Sequence, residues 1–121
     1  MKRTVIIGAT PNPARYAYLA AETLLEYQQE FVPVGIKRGS VFGKEILDLR
    51  SHPEIDHVDT ITLYVNPQHQ EEWYDYIFKL KPRRVIFNPG AENPELEKLL
   101  EDNGIQALEA CTLVLLRTGQ F

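Results

Sequence analysis

Short strand-like runs alternating with helical patterns predict an α/β fold, with a mainly parallel sheet covered by helices on both faces. The runs lie at residues 3–8, 31–35, 59–65, 84–87 and 105–109, and the links between elements are short. Size and composition agree. The chain has 121 residues, 44% hydrophobic and 25% charged, enough to bury a core within one domain spanning 1–121. Those figures exclude a disordered chain or a collagen-like repeat.

Residues 3–8 form a β-branched run that ends in Gly8 and reads as a buried strand. Across 14–28, Ala17, Ala20, Ala21, Leu24 and Leu25 recur at helical spacing. The second run carries Pro33, which fits a strand end or an imperfectly paired stretch. Residues 36–57 are polar and weakly patterned, with room for a short strand or a turn of helix at 46–49. From 59 to 65, Ile61, Leu63 and Val65 alternate with Thr60, Thr62 and Tyr64 as a third strand. Asn66-Pro67 then reads as a cap and a first-turn proline, with Trp73, Ile77 and Leu80 on one face of the following helix. Arg84 to Phe87 is a fourth strand. Asn93-Pro94 opens a helix with Leu96, Leu99 and Leu100 inward, and Asn103-Gly104 closes it. A fifth strand at 105–109 and a short helix at 112–117 complete the pattern. Right-handed crossovers favour a doubly wound, Rossmann-like order of 3-2-1-4-5 in a three-layer αβα arrangement. That order places a ligand across the loops after strands one and four.

The only cysteine is Cys111, so no internal disulfide forms and a reducing, cytoplasmic setting is expected. The apolar start is too short for a signal sequence, and no stretch reaches the roughly 20 apolar residues of a membrane helix. A net charge of -4 and a pI near 5.4 argue against a nucleic-acid binder. They still permit a local basic pocket for an anionic small molecule.

The loop Gly8-Ala9-Thr10-Pro11-Asn12-Pro13-Ala14-Arg15-Tyr16 joins the first strand to the first helix. Backbone N–H groups and the helix dipole favour a phosphate there. Arg15 opposes that dipole, a conflict that a bound anion would remove. The dinucleotide fingerprint G-x-G-x-x-G is absent beyond its first glycine. After the second strand, NAD-binding chains usually carry Asp or Glu for the ribose hydroxyl, whereas this one has Gly35-Ile36-Lys37-Arg38. That basic pair disfavours NAD and leaves NADP and coenzyme A (CoA) open.

Three stretches carry a family resemblance: residues 8–16, Pro33-Val34 with Lys37, and Phe87-Asn88-Pro89-Gly90-Ala91-Glu92. Together they resemble the small CoA-binding proteins, single Rossmann-like domains similar to the CoA-binding domain of the succinyl-CoA ligase alpha subunit. The likeness runs from the first strand to Cys111. The family's G-A-S-x-N-P-x-K-Y loop corresponds to residues 8–16, with Thr10 for serine and Arg15 for lysine. Its V-N-P-K turn corresponds to Val34 through Lys37, with Gly35-Ile36 in place of Asn-Pro. Its Q-P-G-A turn corresponds to Asn88 through Ala91, and its loop after strand three to Val65-Asn66-Pro67. Ala110 replaces the arginine often found before the cysteine. The resemblance implies CoA or an acyl-CoA at the carboxyl edge of the sheet, held by Gly8, Ala9, Thr10, Asn12, Arg15, Tyr16, Lys37, Arg38, Val65, Asn66, Pro67, Asn88, Pro89 and Gly90.

Catalytic and metal-binding patterns are missing from the sequence. His52, His57 and His69 lie in no metal motif and read as surface or capping residues. Residues 39–45 approach a P-loop, but the spacing is short and Glu45 stands where Ser or Thr would bind magnesium. No G-x-S-x-G elbow occurs. Cys111 reads as a packed small residue or as a thiol able to form a mixed disulfide with CoA. The ligase reaction needs a phosphohistidine and nucleotide-grasp domains, for which 121 residues leave no room. The sequence thus points to a non-catalytic CoA module acting as sensor, carrier or accessory, with an NADP-binding oxidoreductase or redox sensor as the alternative. An interaction domain with a decayed site is a third reading. Trp73, Tyr74 and Tyr76 fit either a homodimer or partner interface or a core helix face.

Overall fold

The computed structural model describes residues 2–121. A six-stranded parallel sheet runs through the middle, in the order β5-β2-β1-β6-β7-β8. Its strands are β1 (Arg3–Ile7), β2 (Glu30–Gly35), β5 (Leu47–Asp48), β6 (Val58–Leu63), β7 (Arg84–Phe87) and β8 (Gln106–Glu109). Strands β3 (Ser40–Val41) and β4 (Lys44–Glu45) form a separate antiparallel hairpin. Helices α1 (Tyr16–Glu26) and α4 (Thr112–Arg117) cover one face, where Ala17, Ala21, Leu24 and Leu116 pack with Ile6 and Phe31. Helices α2 (Tyr74–Lys79) and α3 (Pro94–Asp102) cover the other, where Ile77, Leu96 and Leu100 pack with Val5, Ile7, Ile61 and Phe87. Alternation along β1 feeds both layers, because successive strand side chains point to opposite faces.

The Rossmann-like α/β fold is as the sequence predicts, but strand number and order differ. Residues 36–57 fold into the hairpin, β5 and a 3-10 turn at Leu49–Ser51. β5 thereby takes the edge beside β2, and the chain crosses back to lay β6 against β1. The third predicted strand therefore neighbours the first, rather than lying outside the second. The chain reverses between β1 and β6, so the ligand-binding crevice lies over the loops after those two strands and not after one and four. Pro33 fits this arrangement: β5 pairs only with Val34 and Gly35, leaving Pro33 without a ladder partner on that side.

The near P-loop at 39–45 is the β3–β4 hairpin, turning through Phe42 and Gly43, both with positive φ. Its Lys44 donates to the Phe31 carbonyl at 2.8 Å. Behind Asn66-Pro67 the expected helix starts late. Two 3-10 turns, Pro67–His69 and Glu71–Trp73, precede α2, and the Asn66 carboxamide caps the first by accepting from Gln68 N at 2.9 Å. Leu25 and Leu99 point outward rather than inward. Thr23 takes the buried place in α1 and bonds back to the Leu19 carbonyl at 2.8 Å, while Leu96 and Leu100, one turn apart, define the inner face of α3. Trp73 and Tyr76 are buried in the core between helix and sheet, which accounts for most of that aromatic cluster.

Candidate functional site

A cleft of about 870 Å³ opens at the carboxyl edge of the sheet. Gly8, Ala9 and Thr10 after β1, Arg15 and Tyr16 at the start of α1, and Lys37 after β2 line one part of it. Val65 and Asn66 after β6, with Pro89 and Gly90 after β7, line another. Four sequence-predicted residues lie outside this lining. Asn12 is exposed and accepts from Ala14 N at 3.0 Å, closing the loop on itself. Arg38 faces a smaller neighbouring pocket, Pro67 opens the 3-10 turn, and Asn88 is buried.

Close packing of the loops sets the floor. The N–H groups of Gly8 and Ala9 both donate to the Val34 carbonyl, at 2.9 and 3.0 Å. Tyr64 N donates to the Ile7 carbonyl at 2.8 Å. Gly8 has φ +102, and a Cβ there would stand 2.6 Å from the Tyr64 carbonyl oxygen, so only glycine fits. These bonds correct one sequence expectation, that the loop amides stand free for a phosphate. Those of Gly8 and Ala9 are spent on β2, Asn12 N on the Thr10 hydroxyl, and Arg15 N on the Asn12 carbonyl. Pro11 and Pro13 have none. The amides left without a partner among the described residues are those of Thr10, Tyr16 and Ala17.

Two of these belong to the first turn of α1, whose amides have no acceptor within the helix. No side chain caps this end, and no acidic residue occupies its first turn. The other long helix differs: Asn93 caps α3 by accepting from Leu96 N, and Glu97 returns to Asn93 N at 3.0 Å. Arg15, at the cap position of α1, makes no ion pair among the described residues. Positive charge and unsatisfied donors thus meet at one point on the cleft.

The opposite wall is held by buried amides. Gln70 is fully buried and donates to the carbonyls of both Val65 and Ala91 at 2.8 Å, tying the β6 and β7 loops together. Asn93 completes the link by donating to the Gln70 side-chain oxygen at 2.8 Å. Asn88 bridges further back, donating to Thr62 Oγ1 and the Leu63 carbonyl and accepting from Thr112 N. Its side chain positions the Pro89-Gly90 wall and the start of α4.

Sequence reasoning missed Leu49, Tyr64, His69, Glu72 and Trp73, which also line the cleft. Tyr64 follows Thr60 and Thr62 in the alternation, and Trp73 reads as a plain core residue. Neither signal distinguishes a cleft wall from a core. Burial pushes the Tyr64 phenol up to about 12, so it stays neutral. Cys111 is half-buried at the start of α4, outside the cleft lining. Among the described residues no cluster of His, Cys, Asp or Glu gathers to hold a metal. Among the described residues no helix is long and apolar enough to cross a membrane.

An α/β sheet with a crevice at its chain reversal is the architecture of nucleotide-type cofactor binders. The chain matches the CoA binding domain family over residues 2–117 and belongs to that family. It is similar to an uncharacterised protein of known crystal structure, at 57% identity and a TM-score of 0.96, covering 100% of this chain and 98% of that one. It also resembles cell-free ID.343 from Thermus thermophilus, at 25% identity and a TM-score of 0.85, over 99% of this chain and 90% of the other. A conserved hypothetical protein from Pyrococcus furiosus shares the fold at 24% identity and a TM-score of 0.80, over 94% and 98% of the two chains. No curated protein matches.

Proposed function

We propose that the cleft binds CoA or an acyl-CoA and that the chain works as a non-catalytic sensor, carrier or accessory module. The observation that carries this reading is the bare start of α1, where the Tyr16 and Ala17 amides and the unpaired Arg15 meet the cleft. A diphosphate satisfies all three at once. The pantetheine arm then runs along the wall formed by Val65, Trp73 and Ala91, and the cleft volume falls in the range of cofactor sites. A binding role suits a chain without nucleophile elbow or metal motif. A lone thiol fits a reducing cytoplasm.

The test is calorimetric titration with CoA, NADP and NAD. Wild type should prefer CoA, and Arg15→Glu and Lys37→Glu should each weaken CoA by about tenfold or more, the scale of one charge-assisted hydrogen bond. Both residues are exposed, so the thermal midpoint should hold. Equal CoA affinity in all three proteins sinks the site assignment. Preference for NADP moves the chain to the redox alternative, and no binding at all removes the ligand reading.

A further inference from the structure

Charge is divided across the cleft. Arg15 and Lys37 follow β1 and β2, whereas Glu72, the one acidic residue among the described residues that line it, follows β6. We infer that this division selects the acyl group: the cleft takes thioesters of neutral or amine-bearing acids and disfavours those of dicarboxylic acids, with Glu72 setting the preference. The inference rests on the CoA reading above and deepens it by naming the class of acid.

Strands β2 and β6 flank β1 on opposite sides. Their loops therefore start two strand spacings apart, about 10 Å. After β6 the chain reaches Glu72 through the Pro67–His69 turn and the buried Gln70. Gln70 is bonded to the Val65 and Ala91 carbonyls, and Trp73 on the other side is packed into the core, so the backbone that carries Glu72 is anchored on both sides. Glu72 itself is exposed, and it makes no ion pair among the described residues. It thus brings an unpaired negative charge to the β6 side of the cleft.

A CoA-type ligand is asymmetric in the complementary sense. Its phosphates lie at the nucleotide end, and its thiol end has no charge beyond what the acyl group brings. Phosphates beside Arg15 and Lys37 are attracted, while the reverse placement would bring them to Glu72. The thiol end accordingly falls on the β6 side, along Val65 and Trp73, and a charge on the acyl group meets Glu72. A second carboxylate is repelled there, and an ammonium is attracted. Because Glu72 is exposed, each effect is that of a solvent-screened pair, about threefold to fivefold in affinity.

The experiment titrates wild type and Glu72→Gln, at low ionic strength, with free CoA and three thioethers that resist hydrolysis: S-(2-aminoethyl)-CoA, S-propyl-CoA and S-carboxymethyl-CoA. They are alike in size and carry a cation, no charge and an anion at the thiol end. Glu72 is exposed and caps no turn, so its variant should fold. Wild type should bind the aminoethyl form most tightly and the carboxymethyl form least, with about threefold to fivefold between neighbours. Glu72→Gln should bring the three together and leave the propyl form unchanged. Two controls should keep the wild-type order: Glu71→Gln, in the same turn but outside the cleft lining, and His69→Gln, which removes the other titratable group beside Glu72. Equal binding of the three thioethers by wild type overturns the inference, as does tighter binding of the carboxymethyl form. So does an order that survives Glu72→Gln or disappears in either control, and in all these cases the CoA reading stands. If free CoA does not bind, the CoA reading itself has failed and the inference falls with it.

Discussion

Gly35→Ala is expected to destabilise the fold by about 3 kcal/mol, at the upper end of what overpacking costs. An added Cβ falls inside van der Waals contact of the Ala9 carbonyl oxygen, and 3.1 Å from Ala9 N. Both are backbone atoms, so no rotamer change relieves the clash. The β1–α1 loop must move away from β2, and the bonds from Gly8 N and Ala9 N to the Val34 carbonyl lengthen with it. Because Gly8, Ala9 and Thr10 line the cleft, ligand affinity should fall together with stability. Urea denaturation measures the first and titration of folded protein the second. Gly104→Ala is the control: its Cβ meets open space, so it bears only the strain of φ +76, about 1 kcal/mol. Equal losses from the two substitutions would show that the loop gives way freely and that the contact does not set the cleft floor.

Asn88→Ala is expected to cost a similar amount, about 3 kcal/mol, through orphaned buried groups rather than crowding. Asn88 is 1% exposed and uses both ends of its carboxamide. Without it, Thr62 Oγ1 keeps its partner Thr112 Oγ1 at 2.7 Å. The Leu63 carbonyl loses this side-chain donor, and Thr112 N, the first amide of α4, loses its acceptor. Asn88→Asp separates the two losses. One carboxylate oxygen still accepts from Thr112 N, but the other faces the Leu63 carbonyl and repels it unless protonated. The folded state therefore holds its proton more tightly than the unfolded state, which raises the folded pKa. Stability of that variant should fall as pH rises above about 4, where the unfolded carboxyl ionises, and should approach wild type on acidification. A loss independent of pH would place the cost elsewhere than at the Leu63 carbonyl.

These two residues also mark the limit of what the sequence discloses. The β-branched runs of β1 and β6 and the cap Asn93 are local signals, and the structure places those strands and the start of α3 within a residue or two of them, whereas Asn66 caps a 3-10 turn and α2 begins only at Tyr74. β5 has two residues, too few for any period, and its pairing with β2 depends on a hairpin that nothing local announces. Leaving the short segment expected at 46–49 out of the sheet puts the third strand on the wrong side of it and displaces the expected crevice by one loop. The loop residues of the cleft were legible because strand-to-helix turns are where such folds bind ligands. Tyr64 and Trp73 were not, since an aromatic residue looks the same on a core face and on a cleft wall. Asn88 shows the converse: an asparagine in a strand-to-helix loop looks like a ligand donor until its three internal bonds are seen. Nor does spacing show that the Gly8 and Ala9 amides are already taken by Val34.

The uncapped start of α1 has a thermodynamic corollary. On the CoA reading proposed above, its amides and Arg15 form a phosphate site only in the folded chain, which makes ligand binding and folding linked equilibria. At a free concentration a hundred times its Kd, a ligand selective for the folded state adds about 2.7 kcal/mol to the unfolding free energy. For a small domain that is a large share of the whole. If the proposed ligand binds there, the chain's resistance to unfolding and proteolysis should rise and fall with the ligand supply, so its own lifetime would record how much of that ligand the surroundings hold.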